Sequence, residues 1–158
     1  MLVFKLSRFF LIPLTSNLFL CNERDELTVR VEKFIKDVNL FQIKPDFKYY
    51  GIGDWRDDKH VYVFMMSIPE DLDVPEKFQK TVFPGGLYAA YTSHPLDFGD
   101  MDITKNWAKS SEDYEWEDRH MQLEEFFNPY NAYGIRKVND LEYATFLLPI
   151  KQLKEATT

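Results

Sequence analysis

His120-Met121-Gln122-Leu123-Glu124-Glu125-Phe126-Phe127-Asn128-Pro129 is an apolar, strand-prone stretch with two acids set into it. A strand's period of two sends Gln122, Glu124 and Phe126 to one face and Leu123, Glu125 and Phe127 to the other. Glu124 then stands beside an aromatic ring. One explanation is a carboxylate on a solvent-facing strand surface, the usual place for an acid. The other is a pocket, because a carboxylate among aromatic faces can neutralise an organic cation while each cation–π contact adds roughly 0.5–2 kcal/mol. An aromatic content of 16% and a formal charge of -7 favour the pocket, since the net field draws positive partners. The expectation is that Glu124 faces an aromatic-lined groove, with Leu123 and Phe127 packed towards helices.

Upstream of this stretch the chain alternates strand and helix signals. Phe9-Phe10-Leu11-Ile12-Pro13-Leu14 reads as a first strand. It follows Lys5 and Arg8 and precedes Cys21, but the bulky Leu18, Phe19 and Leu20 do not make a lipoprotein-type cleavage site, and no run is long enough to span a membrane. A helix is predicted from a cap at Asn22, with Leu27, Val31, Phe34, Ile35 and Val38 forming one stripe that ends near Asn39. Two strands follow, Phe47–Ile52 and His60–Met66, joined by a polar turn that contains Trp55. The acidic, proline-bounded stretch from Pro69 to Glu76 reads as a connector. A long strand from Gln79 to Thr92 should bend at Pro84-Gly85-Gly86, and a helix capped by Asp100 or Asp102 should carry Ile103 and Trp107. The strand around Glu124, a loop through Asp140 and a last strand, Glu142–Ile150, complete the chain.

The predicted fold class is therefore α+β: two pseudo-symmetric strand-helix-strand-strand halves, about 1–74 and 75–158, within one domain. They form an antiparallel sheet with helices on one side and a groove on the other. With 158 residues and 45% hydrophobic content, the chain can bury one adequate core.

Several function classes are disfavoured. Asp and Glu number 26 against 19 Lys and Arg, without a basic patch, so direct nucleic-acid binding is not expected. The single cysteine and the dispersed His60, His94 and His120 leave no recognisable metal site and fit a reducing cytoplasm. No serine-elbow or phosphate-binding glycine motif is present, and no cofactor is expected.

Glu124-x-Phe126-x-Asn128-Pro129, preceded by Pro84-Gly85-Gly86-Leu87-Tyr88-Ala89-Ala90-Tyr91 and followed by Leu147-Leu148-Pro149-Ile150-Lys151, resembles the GyrI-like effector-binding family, over about Phe9 to Lys151. That family supplies the ligand domain of AraC-type and MerR-type multidrug regulators. The resemblance implies a ligand in the groove, with Glu124 as the acid that meets a cation. Phe126 takes a place where tyrosine is frequent, Tyr88 is the aromatic after the Pro-Gly turn, and Tyr50 lies on the first-half strand. Trp107 resembles the tryptophan of the second helix, although Ala108-Lys109-Ser110-Ser111 departs from the family's usual continuation. By residue type alone Trp107 is better explained as core than as a ligand contact, and Trp55 is either a pocket lid or an exposed turn residue. The implied function is a stand-alone sensor of amphipathic, cationic organic ligands. The alternatives are a hydrolase of cyclopropane-containing electrophiles, built on Glu124, Tyr50 and Trp107, or a module that binds a protein partner as gyrase inhibitors do.

Overall fold

The computed structural model describes residues 1–16, 33–34, 36–43, 48–56, 59–74, 80–127, 130–131, 134–135 and 143–153. Its main feature is an antiparallel sheet in the order β1-β6-β11-β8-β3-β4-β2-β5, with β7 pairing to the far end of β11. The strands are β1 (Leu2–Leu6), β2 (Phe9–Ser16), β3 (Lys48–Arg56), β4 (Lys59–Ile68), β5 (Thr81–Phe83), β6 (Gly86–Ser93), β7 (Tyr114–Trp116), β8 (Leu123–Phe127) and β11 (Ala144–Gln152). A separate small hairpin, β9 (Tyr130–Asn131) with β10 (Gly134–Ile135), lies in the region expected to be a loop.

The duplication is visible in the strand order. In the first half β2, β3 and β4 flank helical residues that include α1 (Leu40–Ile43), and β4 lies between β2 and β3. In the second half β6, β8 and β11 flank α2 (Asp102–Ser110), and β11 lies between β6 and β8. The halves meet where β3 pairs antiparallel with β8, Tyr49 opposite Phe126 and Ile52 opposite Leu123.

The lead-in strands are exchanged. β1 precedes β2 in the chain but pairs with β6, whereas β5 precedes β6 but pairs with β2. The two edges of the central run β6-β11-β8-β3-β4-β2 are thereby tied together, and the sheet curls. Phe9 on β2 reaches Tyr88 on β6, at the opposite end of that run, with ring centroids 6.5 Å apart. The two chain bends touch at Gly85, where a Cβ atom would stand 2.5 Å from the Leu6 carbonyl oxygen and 2.8 Å from the Arg8 nitrogen. The bend expected at Pro84-Gly85-Gly86 is thus the crossing point of the halves.

Curling gives the sheet an outer and an inner face. The outer face carries Ile12, Tyr49, Met66 and Phe126, packed beneath Phe34 and Leu40 of the first helical region. It continues through Ala89, Leu148 and Ile150 beneath Ala108 and Trp107 of α2. The inner face carries Leu11, Tyr50, Met65, Tyr88, Leu123 and Leu147, joined by Phe4, Phe9 and Ile52.

Local details refine the expected elements. The predicted cap at Asn22 lies outside the described residues. The helix break expected near Asn39 is a left-handed residue, φ 56°, after which α1 adds a short turn; asparagine tolerates that backbone conformation. Helix α2 is introduced not by Asp100 or Asp102 but by a 3₁₀ turn, Phe98–Met101, capped by the Asp97 carboxylate on the Gly99 amide at 2.8 Å. Trp55 is not in a turn: β3 runs through it to Arg56, and its backbone pairs with His60.

Candidate functional site

Strand register separates the two neighbouring acids. Glu124 pairs with Gly51 on one side and Phe146 on the other, which puts it on the outer face with Phe126, and it is buried. Glu125 pairs with Tyr50 and Thr145, on the inner face. The Tyr50 hydroxyl donates to Glu125 Oε2 at 2.9 Å, and Lys48 Nζ lies 3.4 Å from Oε1. The Glu125 side chain is 15% exposed.

The sequence expectation for Glu124 is therefore corrected. It does not share a face with Tyr50 and Tyr88; the acid that does is Glu125. Leu123 packs inward with the tyrosines rather than towards the helices, and the side chain of Phe127 lies outside those described. The alternation along β8 holds, but periodicity alone does not fix which parity faces the helices. Register against Tyr50 decides it.

Phe126 is corrected in the same way. Fully buried under Phe34 and Leu40, it is outer-face core rather than a groove wall. Trp107 lies on α2 and stacks on Tyr114 with centroids 5.8 Å apart, in the outer-face cluster with Ala108 and Leu148. Glu124, Tyr50 and Trp107, the group proposed for hydrolase chemistry, are thus divided between two faces of the sheet. The side chain of Trp55 lies outside those described.

Tyr50 and Tyr88 do come together, through Phe9. Phe9 stacks on Tyr50 at 5.6 Å and on Phe83 at 5.4 Å, and tilts against Tyr88. Beside this wall a cavity of about 300 Å³ opens at the end of the sheet, lined by Arg8, Phe9, Phe10, Lys48, Tyr50, Ser67, Ile68, Pro69 and Glu70. Arg8 and Glu70 form an exposed ion pair there at 2.5 Å. Lys48 is anchored by its own amide, which donates to Ser67 Oγ at 2.7 Å. Phe9, Lys48 and Glu125 were not singled out from the sequence, although the Tyr50–Glu125 register would have identified the last of them.

A second polar group lies beyond Tyr88. His120 Nδ1 is 2.6 Å from the Met121 carbonyl oxygen, an acceptor, so Nδ1 carries the proton and Nε2 is the nearer of two acceptors for the Tyr88 hydroxyl, at 2.8 Å against 3.2 Å for the Pro84 carbonyl. Arg119 places its guanidinium 4.8 Å from the Tyr88 ring centroid and donates to the Gly85 and Leu87 carbonyls. Gly86, at φ 144°, leaves the space that the Arg119 guanidinium fills.

Burial lowers the His120 pKa below its usual value, and the Arg119 charge lowers it further against the opposing bond to Met121. Burial likewise raises the Tyr88 phenol, offset in part by Arg119, so it remains a donor. The unfolded chain then binds more protons at His120 than the folded one. Stability is full above the ordinary histidine range, falls as pH drops through it, and stops falling below the depressed folded value. Urea midpoints at pH 7.5 and 5.5 should show a smaller acid loss in His120→Gln than in the unsubstituted protein. Equal losses would locate the acid sensitivity elsewhere.

Among the described residues no cluster of three His, Cys, Asp or Glu side chains is placed to hold a metal ion, and no helix is long and apolar enough to cross a membrane.

Residues 21–145 match the family model described as Cass2, integron-associated effector binding protein. No curated protein sequence matches the chain. Among solved structures, one described as SAV2435 bound to tetraphenylphosphonium has a similar fold, with a TM-score of 0.50 at 8% identity over 95% of this chain and 93% of that one. With the duplicated strand-helix-strand-strand architecture in place and the family model spanning most of it, the chain belongs to the integron-associated effector binding proteins, a GyrI-like effector-binding family.

Proposed function

We propose that the curled sheet binds amphipathic organic cations at its inner face. Glu125 is the counter-charge, and Tyr50, Phe9 and Tyr88 are the aromatic wall. The observation that carries this reading is a largely buried carboxylate, held by the Tyr50 hydroxyl and paired with Lys48, beside a cluster of apolar and aromatic side chains. A site of this kind stabilises a desolvated positive charge by direct attraction and by ring quadrupoles, while the apolar surroundings take up the ligand's hydrocarbon surface. A structure of similar fold that holds tetraphenylphosphonium supports the ligand class. The role that fits is effector sensing for a transcription regulator in the cytoplasm. The net charge of -7 leaves DNA contact to another module.

Isothermal titration with tetraphenylphosphonium tests this through the two adjacent glutamates. Glu125→Gln should weaken binding by about 1–3 kcal/mol, as removal of a partly desolvated counter-charge does. Glu124→Gln, on the opposite face, should leave affinity little changed once folding is confirmed. The reverse pattern, or equal binding of cations and matched anions, would refute the assignment.

A further inference from the structure

We infer that Lys48 is a tethered competitor for the cation site, a built-in ammonium that occupies the Glu125 carboxylate until a ligand displaces it. The inference rests on the reading of Glu125 as the counter-charge and assigns a specificity role to a residue on the neighbouring strand.

Each Glu125 oxygen has a protein partner. Oε2 accepts from the Tyr50 hydroxyl and Oε1 faces Lys48 Nζ. The two partners differ in kind. Tyr50 is 6% exposed and wedged against Phe9, so its hydroxyl is fixed. Lys48 has a side chain 30% exposed on a flexible stem, and its backbone is held separately, by the amide bond to Ser67. Lys48 and Tyr50 both line the cavity of about 300 Å³, whereas Glu125 does not. The two partners of the acid thus border the open space. A cation that reached the carboxylate would have to displace the Lys48 ammonium from it.

The physical consequence is selectivity. A small, strongly hydrated cation offers Glu125 nothing that Lys48 does not already supply and lacks the advantage of tethering. A bulky organic cation adds apolar area and ring contacts, and these offset the loss of the Lys48 pair. Neutral ligands leave the pair intact and are indifferent to it.

The test is Lys48→Met, which keeps the length and apolar character of the stem, with Lys48→Gln as a second variant should the first fold poorly. Tetraphenylphosphonium should bind Lys48→Met at least tenfold more tightly than the unsubstituted protein. Triphenylphosphine oxide, a neutral analogue, should shift by far less. The gain should vanish when Glu125→Gln is combined with Lys48→Met. If tetraphenylphosphonium binding depends on Glu125 but is unchanged or weakened in both Lys48 variants, the competitor role is overturned while the ligand site stands. If binding is independent of Glu125 in every background, the site reading fails and this inference fails with it.

Discussion

Gly85→Val is expected to leave the chain largely unfolded at room temperature. The added Cβ would lie 2.5 Å from the Leu6 carbonyl oxygen and 2.8 Å from both the Ser7 carbonyl carbon and the Arg8 nitrogen. All three are backbone atoms, so no rotamer change relieves the overlap. The bends between β1 and β2 and between β5 and β6 would have to separate, and the sheet would open where it is tied. A cost above about 4 kcal/mol, the upper range for single substitutions, is a large part of the roughly 5–15 kcal/mol that holds a typical domain together. Urea unfolding followed by circular dichroism measures it. Gly99→Ala is the control, because the nearest atoms to its Cβ would be those of the Asp97 carboxylate, at 3.1 Å, a side chain that can move. A Gly85→Val protein with a midpoint close to that of the control would show that the crossing is not needed to close the sheet.

Phe126→Ala should destabilise the protein by about 3–5 kcal/mol, the usual cost of emptying a fully buried phenylalanine site. The ring is 0% exposed and lies under Phe34 and Leu40, where β8 meets β3. The variant also separates core from site. Under conditions where it remains folded, its tetraphenylphosphonium affinity should change far less than that of Glu125→Gln. A folded Phe126→Ala protein with a selective loss of cation binding would return Phe126 to the ligand wall.

The alternation of strand and helix signals was enough to reach the duplicated half, because the stripe through Phe34 and Val38 and the proline-glycine bend at Pro84-Gly85-Gly86 are local features. Strand β1 was not foreseen. Its edge position depends on pairing with β6, a contact between residues such as Leu6 and Gly86 that no local pattern reports. Strand β7 was not foreseen either, since its pairing partner lies on the distant β11. In the candidate site, Tyr50 and Tyr88, both expected from the resemblance to be groove residues, lie in one cluster and meet through Phe9. In the sequence, Phe126 and the Glu-x-aromatic-x-Asn-Pro pattern point to Glu124 rather than Glu125 as the pocket acid. Which parity of β8 turns inward is decided by its register against β3, a property of two strands and not of one.

The exchange of β1 and β5 between the halves has a thermodynamic corollary. A chamber whose walls include the lead-in strand of each half at the edge of the other does not exist in any partly folded chain. An occupant would recognise only the fully assembled state and shift the global unfolding equilibrium by RT ln(1 + [L]/Kd), about 2.7 kcal/mol at a hundredfold excess over Kd. Amide protons on β1 and β5, at the periphery of the sheet, would then gain as much protection from a ligand bound near Tyr50 as those of the central β3 and β8. The protein would report its effector not by moving one loop but by suppressing the opening of the whole sheet at once.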